Sequence, residues 1–95
     1  MPMRTIERTR RFKRDFKRLK AGPLSSKVDS MLAEALSLLA ADQPLPERFR
    51  DHALLGRWRD CRDCHIMPDL ILIYRKPDDA TLELVRLGSH SELGL

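Results

Sequence analysis

The chain carries three histidines, His52, His65 and His90, and all lie in its C-terminal half with Asp69 and Arg86. Histidine has a reference pKa of ~6.5, so at neutral pH one ring can take a proton while another gives one. Arginine presents a planar fork of N–H donors that matches phosphate oxygens. Such a set can cleave RNA with no metal ion. One group removes the proton of a 2′-hydroxyl, and the freed oxygen attacks the adjacent phosphate. Arginine offsets the negative charge that builds there, and a second acid protonates the leaving 5′-oxygen. The plainer alternative is a set of solvated polar residues at strand ends.

These residues need a sheet to bring them together. Leu70 to Tyr74 is an unbroken apolar run, the pattern of a central strand covered on both faces. Arg57–Ile66 before it and Leu82–Leu87 after it have strand patterns too, with turns expected at Met67-Pro68 and Lys76-Pro77-Asp78-Asp79. Turns centred there would set His65 opposite Asp69, and Asp69 opposite Arg86, across strands ~4.8 Å apart. His90 would follow just beyond the same edge. A slip of one residue would send a side chain to the other face.

The N-terminal half reads differently. Met3 to Arg8 alternates weakly and predicts a short strand. From Thr9 onward Phe12, Phe16 and Leu19 recur at helical spacing, and Ala21-Gly22-Pro23 ends that helix. Ser26 with Asp29 resembles a capping box for a second helix, whose apolar face is Val28, Met31, Leu32, Ala35, Leu36 and Leu39 and whose end falls near Ala41. Asp42 to Leu54, with Pro44 and Pro46, reads as a loop. The order is β-α-α-β-β-β: an α+β fold with an N-terminal strand and a helical hairpin packed on a small antiparallel sheet.

The whole chain, 1–95, has room for one domain and no second. Residues 1–20 hold nine basic side chains against Glu7 and Asp15, whereas the other 75 hold nine basic and twelve acidic. The positive field therefore comes from one helix, through Arg10, Arg11, Lys13, Arg14, Lys17, Arg18 and Lys20. It predicts a polyanionic partner such as RNA. The longest apolar run is far below the ~20 residues of a membrane span. No apolar export segment opens the chain, so a cytoplasmic location and reduced thiols are expected. Cys61-Arg62-Asp63-Cys64-His65 matches the haem-attachment pattern C-x-x-C-H. In a strand, however, the two cysteines would face opposite sides, ~10 Å apart. Neither haem, zinc nor a disulfide is expected, and the reading assigns no metal and no cofactor. Cys64 reads as a core residue and Cys61 as a spectator.

Asp51-His52-Ala53-Leu54, Gly56-Arg57-Trp58, Arg62 to Tyr74 (RDCHIMPDLILIY) and Arg86-Leu87-Gly88-Ser89-His90 together resemble the YafQ type of bacterial toxin, in the RelE/ParE superfamily of toxin–antitoxin systems. The resemblance implies a RelE-like fold and a metal-independent mRNA endonuclease that cuts in the ribosomal A site. His52, His65 and His90 match the family's functional histidines, Asp69 its acidic residue, and Arg86 its phosphate-binding arginine. Within that frame His90 suits the general acid, Asp69 orients a histidine or acts as base, and the basic first helix meets the ribosome. The partners implied are the 70S ribosome with its mRNA and a cognate DinJ/RelB-like antitoxin, with operator DNA contacted only through the antitoxin complex. Two aromatic positions of the family differ here, with Leu70 directly after Asp69 and a tail of Ser91-Glu92-Leu93-Gly94-Leu95. They leave open a catalytically decayed toxin that only binds RNA or antitoxin. A ParE-like gyrase inhibitor is the other alternative, and the histidine set counts against it.

Overall fold

The computed structural model describes residues 3–95. The elements run β1 (Thr5–Arg8), α1 (Arg10–Lys20), α2 (Ser25–Ala40), a 3-10 turn (Glu47–Phe49), β2 (His52–Ala53), a second 3-10 turn (Gly56–Trp58), β3 (Arg62–Met67), β4 (Leu70–Arg75), β5 (Thr81–Gly88) and α3 (His90–Leu93). The five strands form one sheet in the order β1-β5-β4-β3-β2. β2 to β5 pair antiparallel, while β1 lies parallel to β5. The sheet is therefore mixed rather than wholly antiparallel, because the helical hairpin carries the chain back across the sheet before the last strand pairs with the first.

Each helix follows from its sequence. Thr9 caps α1, its hydroxyl accepting from the Phe12 N–H at 3.0 Å. The last turn of α1 is basic, with Lys17, Arg18 and Lys20 beside the negative end of the helix dipole. Phe12 is buried, and Phe16 and Leu19 pack against the same core. The α2 face is Val28, Leu32, Ala35 and Leu39, all buried. The expected Ser26–Asp29 capping box does not form: Leu24 occupies the cap position without a side-chain bond, and Asp29 pairs with Lys20 of α1 instead. The ion pair joins the two helices where a cap would have served only one.

The β4 run is buried at every position from Leu70 to Tyr74, because two cores meet on it. Leu70, Leu72 and Tyr74 face the helices with Cys64, Ile66, Leu82, Leu84 and Leu87. Ile71 and Ile73 face the other side, with Leu54, Cys61 and Leu93. The two cysteines are free and lie in different cores, as opposite faces require. Cys61 is nonetheless a buried packing residue and not a spectator. The chain before β3 is a 3-10 turn rather than the start of a strand at Arg57, and the expected loop up to Leu54 contains the two-residue β2. The C-terminal tail folds as well. Ser89 and Glu92 make a reciprocal capping box that starts α3, and Leu93 closes the second core. A Cβ on Gly88 would come within 3.0 Å of the Glu92 carboxylate, so glycine at that corner lets α3 turn tightly off β5.

Candidate active site

The histidines converge on the sheet face away from the helical hairpin. His52, on the short edge strand β2, is cross-strand partner to Asp63 of β3. Its Nδ1 lies 2.8 Å from the Arg50 carbonyl and 3.1 Å from the Asp63 carboxylate. Arg50 adopts a left-handed backbone (φ 48°), which bends the chain out of the 3-10 turn into β2 and aims its carbonyl at that ring. His65 follows Asp63 by two residues on β3, so period two puts both on one face. The His65 and His90 rings meet edge to face with centroids 5.2 Å apart. Asp69, in the turn between β3 and β4, holds His90 twice: its Oδ1 accepts from the His90 backbone N–H at 3.0 Å and contacts the ring Nδ1 at 2.7 Å.

These contacts set the protonation states. A carboxylate against Nδ1 fixes the proton there and leaves His90 Nε2 facing outward. The two hydrogen bonds from His90 hold the Asp69 carboxyl below its usual range. Burial pushes the His65 pKa down, opposed by the nearby Asp63 charge and reinforced by the neighbouring His90, Arg50 and His52. A depressed His65 is neutral at pH 7 and can accept a proton. Burial pushes the Asp63 carboxyl up, while all three histidines pull it down. Its Oδ1 is buried without a well-formed hydrogen bond among the described residues, the His52 contact being close in distance but poorly aligned. Asp63 is the site residue that sequence reasoning missed. Its spacing of two from His65 within a strand is the signal that could have found it.

The expected register is corrected. His65 stands opposite Ile71 rather than Asp69, and Arg86 opposite Ile73 rather than Asp69. The first change arises because β3 and β4 shift register between His65 and Met67, moving Asp69 off the ladder and into the turn. In the second, Tyr74 pairs with Leu84 while Ile73 pairs with Arg86, which leaves Val85 as an extra residue in β5. Such a bulge re-aims the side chain beside it. Arg86 thus leaves the histidine cluster and turns to α1, where Asp15 takes its Nε at 2.8 Å and a terminal nitrogen at 3.2 Å. Of the five predicted catalytic residues, His65, Asp69 and His90 are in contact, His52 joins them through Asp63, and Arg86 stands to one side. The seven basic residues Arg10, Arg11, Lys13, Arg14, Lys17, Arg18 and Lys20 are all exposed on α1. Among the described residues no three His, Cys, Asp or Glu side chains are arranged to hold a metal ion. No described helix is long and apolar enough to cross a membrane.

A family model for the "bacterial toxin of type II toxin-antitoxin system, YafQ" matches residues 4–94. The chain belongs to the YafQ family. It is 36% identical over 94 residues to the mRNA interferase toxin YafQ of Escherichia coli strain B / BL21-DE3, covering 98% of both chains. Among solved structures it resembles a copper-bound mutant toxin from Helicobacter pylori, with a TM-score of 0.85 and 43% identity over 96% of this chain and 99% of that one. It also resembles the toxin in the E. coli DinJ-YafQ toxin–antitoxin complex, with a TM-score of 0.81 and 35% identity over 96% and 97% of the two chains. Membership makes the chain an endoribonuclease toxin of a type II toxin–antitoxin system. Its α+β sheet with helices is the fold of these YafQ structures.

Proposed function

We propose that this YafQ-family chain cuts mRNA in the ribosomal A site by acid–base catalysis that requires no metal, and that a DinJ-like antitoxin neutralises it. The observation that carries the reading is the Asp69–His90–His65 contact series, which supplies an oriented donor beside a neutral acceptor. His65 takes the proton of the 2′-hydroxyl. The 2′-oxygen bonds to phosphorus, the bond from phosphorus to the 5′-oxygen breaks, and His90 delivers a proton to that leaving oxygen through Nε2. The products are a 2′,3′-cyclic phosphate and a free 5′-hydroxyl. Asp69 keeps His90 in the tautomer and orientation the step needs. Asp63 stabilises the charge that His65 gains. The exposed basic face of α1 supports attachment to ribosomal RNA, and the antitoxin would carry any operator contacts in the cytoplasmic complex.

Primer extension on an mRNA translated in a purified system tests this directly. Cuts are expected only with ribosomes, undiminished by a transition-metal chelator that leaves magnesium free, and lost in His90→Ala. Cuts on free RNA, or equal cutting by a folded His90→Ala protein, would refute it. A folded parent that binds ribosomes without cutting would point to a decayed toxin.

A further inference from the structure

Asp15 is the one acidic residue on α1, and it is buried. It lies at the edge of the apolar stripe, three residues after Phe12 and four before Leu19. An acid in that position is out of place unless something holds it. Three bonds do. Its carboxylate accepts from Arg86 Nε at 2.8 Å, from an Arg86 terminal nitrogen at 3.2 Å and from the Leu87 backbone N–H at 3.0 Å. The Leu87 bond ties the carboxylate to β5 itself, just past the Val85 bulge that turns Arg86 this way. The bidentate pair engages one side of the guanidinium and leaves three of its five N–H groups without a partner among the described residues. Arg86 lines a cleft of about 180 Å³ with Asp15, Arg11, Arg14 and Arg18. Arg18 reaches Glu92 of α3 at 2.9 Å, so the cleft adjoins the helix that begins with His90. Four guanidinium groups against two carboxylates leave the cleft net positive.

We propose that Asp15 is a positioning residue: it locks Arg86 at the mouth of this arginine cleft, so that Arg86 receives an RNA backbone phosphate without first losing side-chain freedom. The inference rests on the endonuclease reading and names a further residue for it. A free arginine side chain has much rotamer freedom to lose on binding. A buried carboxylate that has already fixed the guanidinium removes most of that cost from the binding step. Asp15 touches no substrate; it acts through Arg86.

The test is a double-variant cycle read on ribosome-programmed mRNA, with kcat and KM measured separately. Arg86→Ala is expected to raise KM more than tenfold with kcat changed far less, as for loss of a phosphate contact made on binding. Asp15→Asn keeps an acceptor for Leu87 N–H and so keeps the fold, which a thermal melt checks. It is expected to raise KM about tenfold with kcat changed less than about twofold, and to add almost nothing when combined with Arg86→Ala. Free guanidinium is expected to restore part of the activity of Arg86→Ala, and to restore none once Asp15→Asn is added. If Asp15→Asn does not hold its fold, Asp15→Glu takes its place in the same cycle. A parent that fails to cut overturns the proposed function and the inference together. A parent that cuts, with D15N as active as the parent or with additive losses in the pair, overturns the role of Asp15 alone.

Discussion

Asp63→Ala should make this protein more stable and less active. Asp63 has a side chain 4% exposed, and its Oδ1 lacks a well-formed partner among the described residues. Leaving a buried acceptor unsatisfied costs about 1–3 kcal/mol. Its neighbour His52 has a side chain 55% exposed that returns to water when the carboxylate is gone, so little buried polarity is stranded. Removing the carboxylate leaves a small cavity that takes back part of the gain. A net gain of about 1 kcal/mol is expected, which in a domain of this size raises Tm by roughly 4–8 °C. The sign has a pH signature. Burial raises the Asp63 carboxyl above its unfolded value of ~3.9, so folding is penalised where the unfolded chain would be ionised. The variant's advantage should therefore be present at pH 7, shrink as pH falls and vanish below about pH 4. Activity should fall about tenfold or more, because His65 loses the buried carboxylate that raises its pKa. Thermal melts at pH 4 and pH 7, with single-turnover cleavage, decide the matter. A variant less stable than the parent at pH 7 would show that Asp63 is a structural anchor and refute the reasoning.

Other consequences follow from the same contacts. Asp69→Asn removes a carboxyl that His90 holds low. The parent's stabilisation from that pair is present above the unfolded pKa and is lost as pH falls through the lowered folded value, so parent and variant melts should begin to converge near pH 4 and meet only below that lowered value. Replacing the bridging 5′-oxygen of the scissile linkage by sulfur gives a leaving group that needs no proton; it should rescue His90→Ala and leave His65→Ala slow, and equal rescue of both would refute the assignment of acid and base. Neutralising Arg10, Lys13 and Lys17 by glutamine should weaken ribosome binding and flatten its dependence on salt, with kcat unchanged, because these exposed side chains lie outside both the histidine cluster and the arginine cleft. Thr9→Ala should cost about 1 kcal/mol or more, measured by urea unfolding, because its hydroxyl both caps α1 and donates to the Val85 carbonyl at 2.7 Å.

Much of this was legible in the sequence because it depends on period. The helical stripes of α1 and α2, the doubly buried β4 and the grouping of His65 with His90 all follow from spacing. What escaped depends on register and on pairing between distant segments. A single extra residue, Val85, moves Arg86 from the histidines to α1, and no local pattern marks a bulge in a strand that is otherwise regular. The Ser26–Asp29 motif is a sound local cap that loses to a tertiary ion pair with Lys20. The parallel placement of β1 is likewise a matter of connection and not of composition. Asp15 and Asp63 could have been suspected, since each puts a carboxylate on a face that its neighbours bury.

The geometry also bears on whether this toxin has decayed. The two aromatic positions that differ from the family pattern suggested a weakened grip on RNA. Leu70, however, is 3% exposed and packs in the helix-side core with Ile66, Leu72 and Leu87. Its side chain is turned away from the face that carries Asp63 and His65, so an aromatic ring there would serve packing first. The tail is similarly committed, with Leu93 in the second core and Gly94 ending α3 in a left-handed turn against Arg57. A chain losing its catalytic function has no reason to keep Asp63 buried at a cost to stability, or a carboxylate bonded twice to His90. These features favour retained chemistry, with the change in aromatic residues felt in packing. Leu70→Trp should accordingly disturb stability more than rate. A large rise in cleavage rate with no change in Tm would instead show that this position reaches the RNA.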